Sequence, residues 1–365
     1  MSRLATQDLD HVLEQARDCW PSLAGSRLFI TGGTGFIGKW LLESLLWAND
    51  RLDLKISATV LTRDPDRFAA GSPHLASHSA VELLQGSAPS FEFPRGEFPF
   101  VIHAATERAF AADAAHPTST FDLDVAATRR VLEFAGQHGA RRLLFTSSGA
   151  VYGRQPSDLT HIPENYAGAP DSTDPGTAYG QSKRVSEFLC TMYGRQYGFD
   201  APIARLFAFV GPHLPLDENF AVGNFIRDAL EGGPIRVKGD GTPYRSYLYA
   251  ADMAAWLWTI LVRGEPARPY NVGSGDAVTI AELASVVEKA AKAAGIAGPG
   301  MRIETAEKAV AGMSAARYVP SVERAEKSLN LRAAIPLEEG VRRTLDWAAS
   351  AGTSAKRLTW EEEAV

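Results

Sequence analysis

Three features of the chain predict an α/β fold: a doubly wound parallel sheet with a smaller C-terminal lobe. A glycine-rich turn, Thr31-Gly32-Gly33-Thr34-Gly35-Phe36-Ile37-Gly38, joins an apolar stretch to a segment that is apolar at helical spacing. Strand and helix patterns then alternate from residue 25 to about 210, as expected where helices cross over both faces of a parallel sheet. Beyond 211 the alternation gives way to short strand-like segments mixed with helices.

Residues 1–24 read as an N-terminal helical extension. Leu9, Val12, Leu13 and Ala16 stand against Asp8, Asp10, Glu14 and Arg17, and the helix is expected to end before Pro21. Leu28-Phe29-Ile30 reads as a short buried strand. Later strands are expected at Ile56–Leu61, Val81–Leu84, Phe100–His103, Arg141–Thr146 and Pro202–Phe207, with helices at 37–48, 119–138 and 179–197. These make 25–210 the first domain. Residues 211–350 form the lobe, with strand-like segments at Ile235–Lys238 and Tyr247–Tyr249, helices at 219–231, 250–263 and 279–294, and room for the chain to re-enter the sheet. The last segment, 351–365, which carries Glu361-Glu362-Glu363, reads as a flexible tail. Pro/Gly-rich loops at 153–177 and 211–218 interrupt the pattern, and long loops in such folds tend to carry function.

Composition narrows the function classes. Of 365 residues, 45% are apolar and 22% charged, an ordinary globular balance. A net charge of −6 argues against general attraction to nucleic acid or to an anionic membrane. Two cysteines, Cys19 and Cys190, make neither a disulfide framework nor a metal site, and Cys190 reads as core packing. No metal is expected, and a reduced cytoplasmic compartment is the default. No apolar run reaches transmembrane length, and 1–24 lacks the core of a signal peptide.

The glycine turn follows a strand and opens a helix, the context in which such a motif binds a dinucleotide. Gly32 permits the tight turn, Gly35 lets backbone approach a pyrophosphate, and Gly38 lets helix and strand pack closely. The helix N-terminus then offers free N–H groups and a positive dipole end. Past the fifth strand, Thr146-Ser147-Ser148 lies at the carboxyl edge where ligands bind in open parallel sheets. Tyr179 and Lys183 are four apart, hence on one helix face. A tyrosine pKa is about 10, too high for a base near neutrality. A nearby ammonium, with the positive ring of an oxidised nicotinamide, favours phenolate. Ser148 can hydrogen-bond the same substrate oxygen, so the three suit proton removal from a sugar hydroxyl.

These motifs together resemble the extended short-chain dehydrogenase/reductase family, in its nucleotide-sugar epimerase and dehydratase branch. The resemblance spans roughly 25–347. It adds His103-Ala104-Ala105, Ser147 to Gly153, Arg205 to Gly211-Pro212, Gly239-Asp240-Gly241 with Arg245, Asn271-Val272-Gly273-Ser274 and Leu337-Glu338-Glu339-Gly340. It implies a Rossmann-type fold with a substrate-binding lobe and an NAD(P) site that includes Gly32, Thr34, Gly35, Phe36, Ile37, Gly38, Ala104 and Ala105. Tyr179 would be the acid/base, Lys183 would hold the ribose and tune Tyr179, and Ser148 would orient the substrate hydroxyl. Arg245 would contact the diphosphate of a nucleoside-diphosphate sugar, and Arg317, before Tyr318-Val319-Pro320, would add a phosphate or ribose contact. His103 would shape the loop beside the cofactor. A homodimer through helices 119–138 and 179–197 is also implied.

The departures matter. Gly149 and Ala150 stand where sugar 4,6-dehydratases of the branch place an Asp-Glu pair, and uronate decarboxylases carry Glu at the second position. Ala208 replaces a sugar-nucleotide-binding Asn, Asp124 stands where many relatives have Asn, and Ser87 stands where they often have an adenine-contacting Asp. At the end of the second strand, Thr62 occupies the position of the acidic residue that accepts from the ribose of NAD. Arg63 could instead pair with the 2′-phosphate of NADP, or Asp64 could serve NAD with a one-residue shift. The expected cofactor is NAD or NADP, with Arg63 favouring NADP. The leading expectation is a 4-epimerase working through a transient 4-keto-sugar, with hydride passing to and from the nicotinamide. An NADPH-linked 4-keto-sugar reductase, a 4,6-dehydratase and a non-catalytic NAD(P) sensor follow in that order.

Overall fold

The computed structural model describes residues 3–106, 117–218, 220–308 and 315–350, so the expected tail lies outside the described residues. In chain order the strands are β1 (Arg27–Thr31), β2 (Ser57–Thr62), β3 (Val81–Gln85), β4 (Phe100–His103), β5 (Arg142–Ser148) and β6 (Ile203–Leu206). Then come β7 (Ala208–Val210), β8 (Ile235–Val237), β9 (Tyr244–Arg245), β10 (Tyr247–Tyr249) and β11 (Pro269–Val272). The last three are β12 (Val278–Thr279), β13 (Ile303–Thr305) and β14 (Arg317–Tyr318).

Seven of them form one sheet in the order β11-β6-β5-β4-β1-β2-β3. Every neighbouring pair is parallel. The doubly wound parallel sheet expected from the sequence is therefore present. Apart from the edge strand β3, its strands are largely buried on both faces, which is why they read as near-continuous apolar runs. Their alternation sorts them. Leu28, Ile30, Ile102 and Leu144 pack on one face with Trp40, Leu41 and Leu45 of the helix Phe36–Leu52 and with Trp258. Phe29, Val101, Leu143 and Phe145 pack on the other with Val131, Leu132 and Phe134 of the helix Pro117–Gln137, and with Leu189 and Cys190 of the helix Ala178–Tyr197. Cys190 is a buried, free thiol of this core.

The strand expected at 202–207 is β6, Ile203–Leu206. The chain leaves the central sheet after β6, and β7 pairs in parallel with β10 instead. Phe207 is the hinge between the two sheets, and its N–H still reaches the Val272 carbonyl of β11 at 3.0 Å. The leader helix spans Thr6–Gln15 and so ends before Pro21, as expected, while Pro21 itself sits in the first turn of a separate helix, Trp20–Leu23. Proline is tolerated there because first-turn N–H groups have no intrahelical acceptor.

The leader is fastened to the rest of the protein by a charge. The Asp8 carboxylate, 1% exposed, accepts from the Tyr249 hydroxyl at 2.7 Å and from Arg343 Nη1 at 2.6 Å. Trp20 packs on Trp258 with ring centroids 5.5 Å apart. Removing one member of a buried pair leaves the other unpaired, so Asp8→Ala is expected to cost about 3 kcal/mol of folding stability. Urea denaturation measures this, and a loss below about 1 kcal/mol would show that the Asp8 contacts do not bind leader to core.

Candidate active site

A cleft of about 1430 Å³ runs along the carboxyl edge of the sheet. The register sets it up: Thr31 at the end of β1 lies opposite Leu61 of β2 and His103 of β4. The loops leaving these strands therefore open at one level. Gly32, Thr34, Gly35, Phe36, Ile37 and Gly38 all line the cleft. Gly32 has φ +72°, and a Cβ there would lie 2.5 Å from the Ala104 carbonyl carbon. A Cβ on Gly38 would run into the Gly32 carbonyl oxygen. The helix Phe36–Leu52 starts at Gly35 without a side-chain cap, so its first N–H groups face the cleft. The cradle has the shape and the donors that a pyrophosphate requires.

His103 stitches two of these loops together. Its Nδ1 lies 2.8 Å from Thr31 Oγ1, which also accepts from Ala105 N at 3.1 Å. Its Nε2 lies 3.2 Å from Thr128 Oγ1. Thr128 gives its own proton to the Asp124 carbonyl at 2.9 Å, so Nε2 is the ring's donor and Nδ1 its acceptor. Ala104 and Ala105, which follow, line the cleft.

Ser148, Tyr179 and Lys183 come together on the next stretch of the same edge. Ser148 closes β5, and its Oγ accepts from Ala150 N at 3.2 Å, capping the short 3₁₀ turn Gly149–Tyr152. Tyr179 and Lys183 lie one turn apart near the start of Ala178–Tyr197, with Lys183 Nζ 5.5 Å from the Tyr179 ring centroid. Lys183 is 3% exposed, and its Nζ lies 3.8 Å from Asp124 Oδ2. Burial pushes the ammonium below its ordinary range, and Asp124 opposes that shift. Asp124 also accepts from Ser182 Oγ at 3.0 Å and Thr106 Oγ1 at 3.2 Å. Behind Ser148, the Ser147 hydroxyl donates to Glu187 Oε1 at 2.6 Å. Arg205 grips the same carboxylate at 2.9 and 2.7 Å.

At one end of the cleft lie Arg63 and Ser87, together with Arg67. Asp64 has a task of its own there. Its carboxylate accepts from Arg67 N at 2.9 Å and caps the helix Pro65–Gly71. Its N–H approaches Thr62 Oγ1 at 3.3 Å. The opposite wall belongs to the lobe. Arg245 and Arg317 line it from β9 and β14, which pair in parallel with Arg317 opposite Tyr244 and Tyr318 opposite Arg245. Arg317 lies over the Tyr244 ring at 4.1 Å, and Arg245 Nη1 donates to the Tyr244 carbonyl at 2.8 Å.

Tyr318 and Phe207 line this wall too, and the sequence reading assigned them no role. Their rings pack 4.6 Å apart, tilted by 36°, against Gly149. Tyr318 stood beside Arg317 in the sequence, but nothing there brings it to Ser148, some 170 positions earlier by count. Asp124 was noticed only as an exchange for Asn. Its pairing with Lys183 needs two helices side by side.

Residues 28–273 match the model of the NAD dependent epimerase/dehydratase family. The chain is 29% identical over 334 residues to UDP-glucuronic acid decarboxylase 3 of Arabidopsis thaliana, covering 90% of each chain. It is 30% identical over 322 residues to UDP-glucuronic acid decarboxylase 1 of the same plant, covering 87% of this chain and 68% of that one. Among solved structures, the UDP-glucose 4-epimerase of Thermus thermophilus in complex with NAD superposes with a TM-score of 0.70 at 25% identity, over 89% of this chain and 99% of that one. The dTDP-glucose 4,6-dehydratase DesIV of Streptomyces venezuelae, with NAD bound, does so at 0.73 and 24%, over 89% and 97%.

Burial, and secondly Lys183, lower the His103 pKa from 6.5 to about 3. The unfolded chain therefore binds a proton there that the folded protein refuses between those values. Stability contributed by neutral His103 is full above pH 6.5 and falls as pH drops toward 3, by up to about 5 kcal/mol. His103→Gln should flatten the acid side of a stability profile measured by denaturation from pH 7 to 4. An unchanged slope would show that His103 does not carry it.

Proposed function

The chain belongs to the NAD dependent epimerase/dehydratase family, and from that premise we propose that it is a nucleoside-diphosphate-sugar epimerase acting at C4. One observation carries the reading: Ser148, Tyr179 and Lys183 share a cleft with the glycine cradle, while the two positions after Ser148 hold no carboxylate. The space above Gly149 is filled by Tyr318 and Phe207. An Asp-Glu pair for elimination has no counterpart there, and Ala150 offers no carboxylate for decarboxylation.

In this reading the glycine loop and the N-terminus of Phe36–Leu52 hold the pyrophosphate of NAD or NADP, and Ala104, Ala105 and Ser87 border its adenosine and ribose. The bound dinucleotide supplies a hydride acceptor and donor beside the sugar. Lys183 holds a ribose and keeps positive charge near Tyr179, lowering the cost of phenolate. Tyr179 takes the proton from the C4 hydroxyl and later returns it. Ser148 donates to the same oxygen and holds the 4-keto-sugar while it turns. Arg245 and Arg317 bind the diphosphate from the lobe side. The exposed apolar residues Leu123, Phe188 and Met192 on the two long helices support a homodimer through them. The buried free thiols, Cys19 and Cys190, agree with a cytoplasmic setting. Among the described residues no helix is long and apolar enough to cross a membrane.

Asp64 favours a second reading, a 4-keto-sugar reductase fed by NADPH. Its Oδ1 already caps a helix through Arg67 N, and Arg63 and Arg67 both line that end.

Three measurements test these readings. Tyr179→Phe should lower turnover by a factor on the order of a hundred, with cofactor binding nearly intact. The assay is NMR on a panel of UDP-, dTDP-, GDP- and CDP-sugars, and near-normal rates in the variant would remove Tyr179 from the mechanism. Calorimetry on cofactor-stripped protein should show NADP bound more tightly than NAD by about 1.5–3 kcal/mol, roughly ten- to a hundredfold. Arg63→Ala should erase most of that preference, and equal wild-type affinities would return the site to NAD. Sedimentation at micromolar protein should give a dimer, which Phe188→Glu weakens. A wild-type monomer at every concentration would sink the helix-pair interface.

A further inference from the structure

We propose that Glu43 is a positioning residue: through His213 it latches the 211–218 loop against the cofactor-side helix, and protonation of that imidazole releases the latch. The inference deepens the proposed function and rests on its reading of the cleft as a sugar-nucleotide site.

The loop is a wall of that cleft, since Leu214, Pro215 and Glu218 line it. The helix Phe36–Leu52, whose N-terminus faces the cleft, holds the loop from behind. Trp40 Nε1 donates to the Pro212 carbonyl at 2.9 Å. One turn on, Glu43 Oε1 lies 3.2 Å from His213 Nε2. Both side chains are buried, His213 to 1% exposure and Glu43 to 4%. The other Glu43 oxygen accepts from Leu4 N at 2.8 Å, so the leader closes the cluster. The Trp347 ring covers another side of His213, with centroids 4.8 Å apart. His213 takes φ +69°, a conformation that a non-glycine residue keeps where its surroundings hold it. Further along, Arg227 Nη1 reaches the Leu216 carbonyl at 3.3 Å. Loss of the His213 contact therefore loosens the wall without detaching it.

Hydrogen-bond capacity makes the latch sensitive to protons. His213 Nε2 carries the proton that Glu43 accepts, which leaves Nδ1 bare. That nitrogen has no hydrogen-bond partner among the described residues. A second proton would make it a buried donor with nothing to accept from it. The charged neighbours oppose that proton too. His74, from the helix Pro73–Ala76, brings its Nε2 to 3.2 Å from the same Glu43 oxygen, so two imidazoles compete for one carboxylate. Lys39 stands one turn before Glu43 and repels charge on His213. On the leader and the helix Leu337–Ser350, Asp8, Glu339 and Arg343 pair with one another. On the loop itself, Asp217 is exposed and Glu218 faces the cleft. Among the described residues no three ligating side chains are placed to hold a metal ion, so the proton is the cluster's variable.

The sign follows from burial. Burial pushes His213 below its ordinary range, and Glu43 opposes this. Burial works against the Glu43 carboxylate as well, yet His213 and Leu4 N hold it below its ordinary range. An imidazole freed into water takes a proton more readily than the latched one. Acid therefore favours release as pH falls below 6.5.

The test measures KM and kcat from pH 8 to 5.5 with UDP-glucose, UDP-galactose and dTDP-glucose, whose diphosphate diesters keep their charge over this range. Wild-type KM should rise about fivefold toward pH 5.5, whatever kcat does as Tyr179 titrates. His213→Gln keeps a donor for Glu43 but cannot become charged, so its KM should stay flat. In Glu43→Gln the one carbonyl serves Leu4 N or His213, not both. That variant should raise KM about threefold already at pH 8, with kcat within about twofold. A readout without substrate separates the latch from the function. Amide hydrogen exchange in peptides spanning 206–224 is taken as the ratio of wild type to His213→Gln at each pH. The ratio should rise about threefold between pH 8 and 5.5, and circular dichroism checks that both proteins fold. A flat wild-type KM, the same slope in His213→Gln, or a constant exchange ratio would overturn the inference. If the ratio rises but wild type turns over none of the sugars, the proposed function fails while the latch stands.

Discussion

Every strand of the central sheet runs the same way, and the site follows from that constraint. Parallel neighbours cannot be joined by a tight turn, so each connection crosses a face of the sheet and returns. The carboxyl ends then share one edge. Residues far apart in the chain, Gly32, Thr62, Ala104, Ser148 and Phe207, open into one cleft because each sits just at or past a strand end. The close approach of Gly38 to the Gly32 carbonyl keeps the first helix against that edge. A side chain at either position would have to move backbone rather than another side chain. The glycines therefore limit how the edge can be built before any chemistry is considered.

The same layout forces charge inward, and each buried charge has a counterpart. Lys183 stands opposite Asp124, Arg205 opposite Glu187, and Asp8 between Tyr249 and Arg343. An isolated ammonium or carboxylate at such depth would be driven to its neutral form. Pairing is thus the condition for Lys183 to stay cationic so near the sheet. The Asp124 carboxylate meets that condition where an amide would not. It also ties Lys183 to Thr106 and Ser182, so the ammonium has a fixed position as well as a preserved charge.

Features carried by local spacing were legible in the sequence. The strand, glycine turn and helix at 27–52, and the Tyr179–Lys183 pair on one helix face, depend on residues within a few positions of each other. Their lining of one cleft followed from the parallel sheet. What escaped depends on contacts between distant segments. The break after β6 is invisible in an apolar run through Phe207, because it is set by β10 pairing with β7. Pro21 looked like a stop, since the same residue suits a first turn as well as an end. Asp64 stood as an alternative ribose acceptor, and that it also caps the next helix through Arg67 N depends on how the chain folds after it. Tyr318 had no periodic or motif signal connecting it to Ser148.

Three phenols, Tyr179, Tyr247 and Tyr318, line one cleft, and the surroundings of Tyr179 and Tyr318 differ. Tyr179 is partly exposed, with Lys183 5.5 Å from its ring, so a negative oxygen there meets a cation and reachable solvent. Tyr318 is packed between Phe207 and Gly149, and its burial outweighs the nearby Arg245. A phenolate at Tyr318 would also face any charge that developed on Tyr179. Burial raises Tyr318 above its ordinary range and so disfavours its phenolate. In the proposed reading Tyr179 is the base, and the two positions after Ser148 carry no carboxylate. Such a site can remove and restore one proton at one carbon. Gly149 and Ala150 supply no acid to expel a leaving group from the next carbon, and an acid at those positions is what would separate dehydration from epimerisation or ketone reduction on a shared fold.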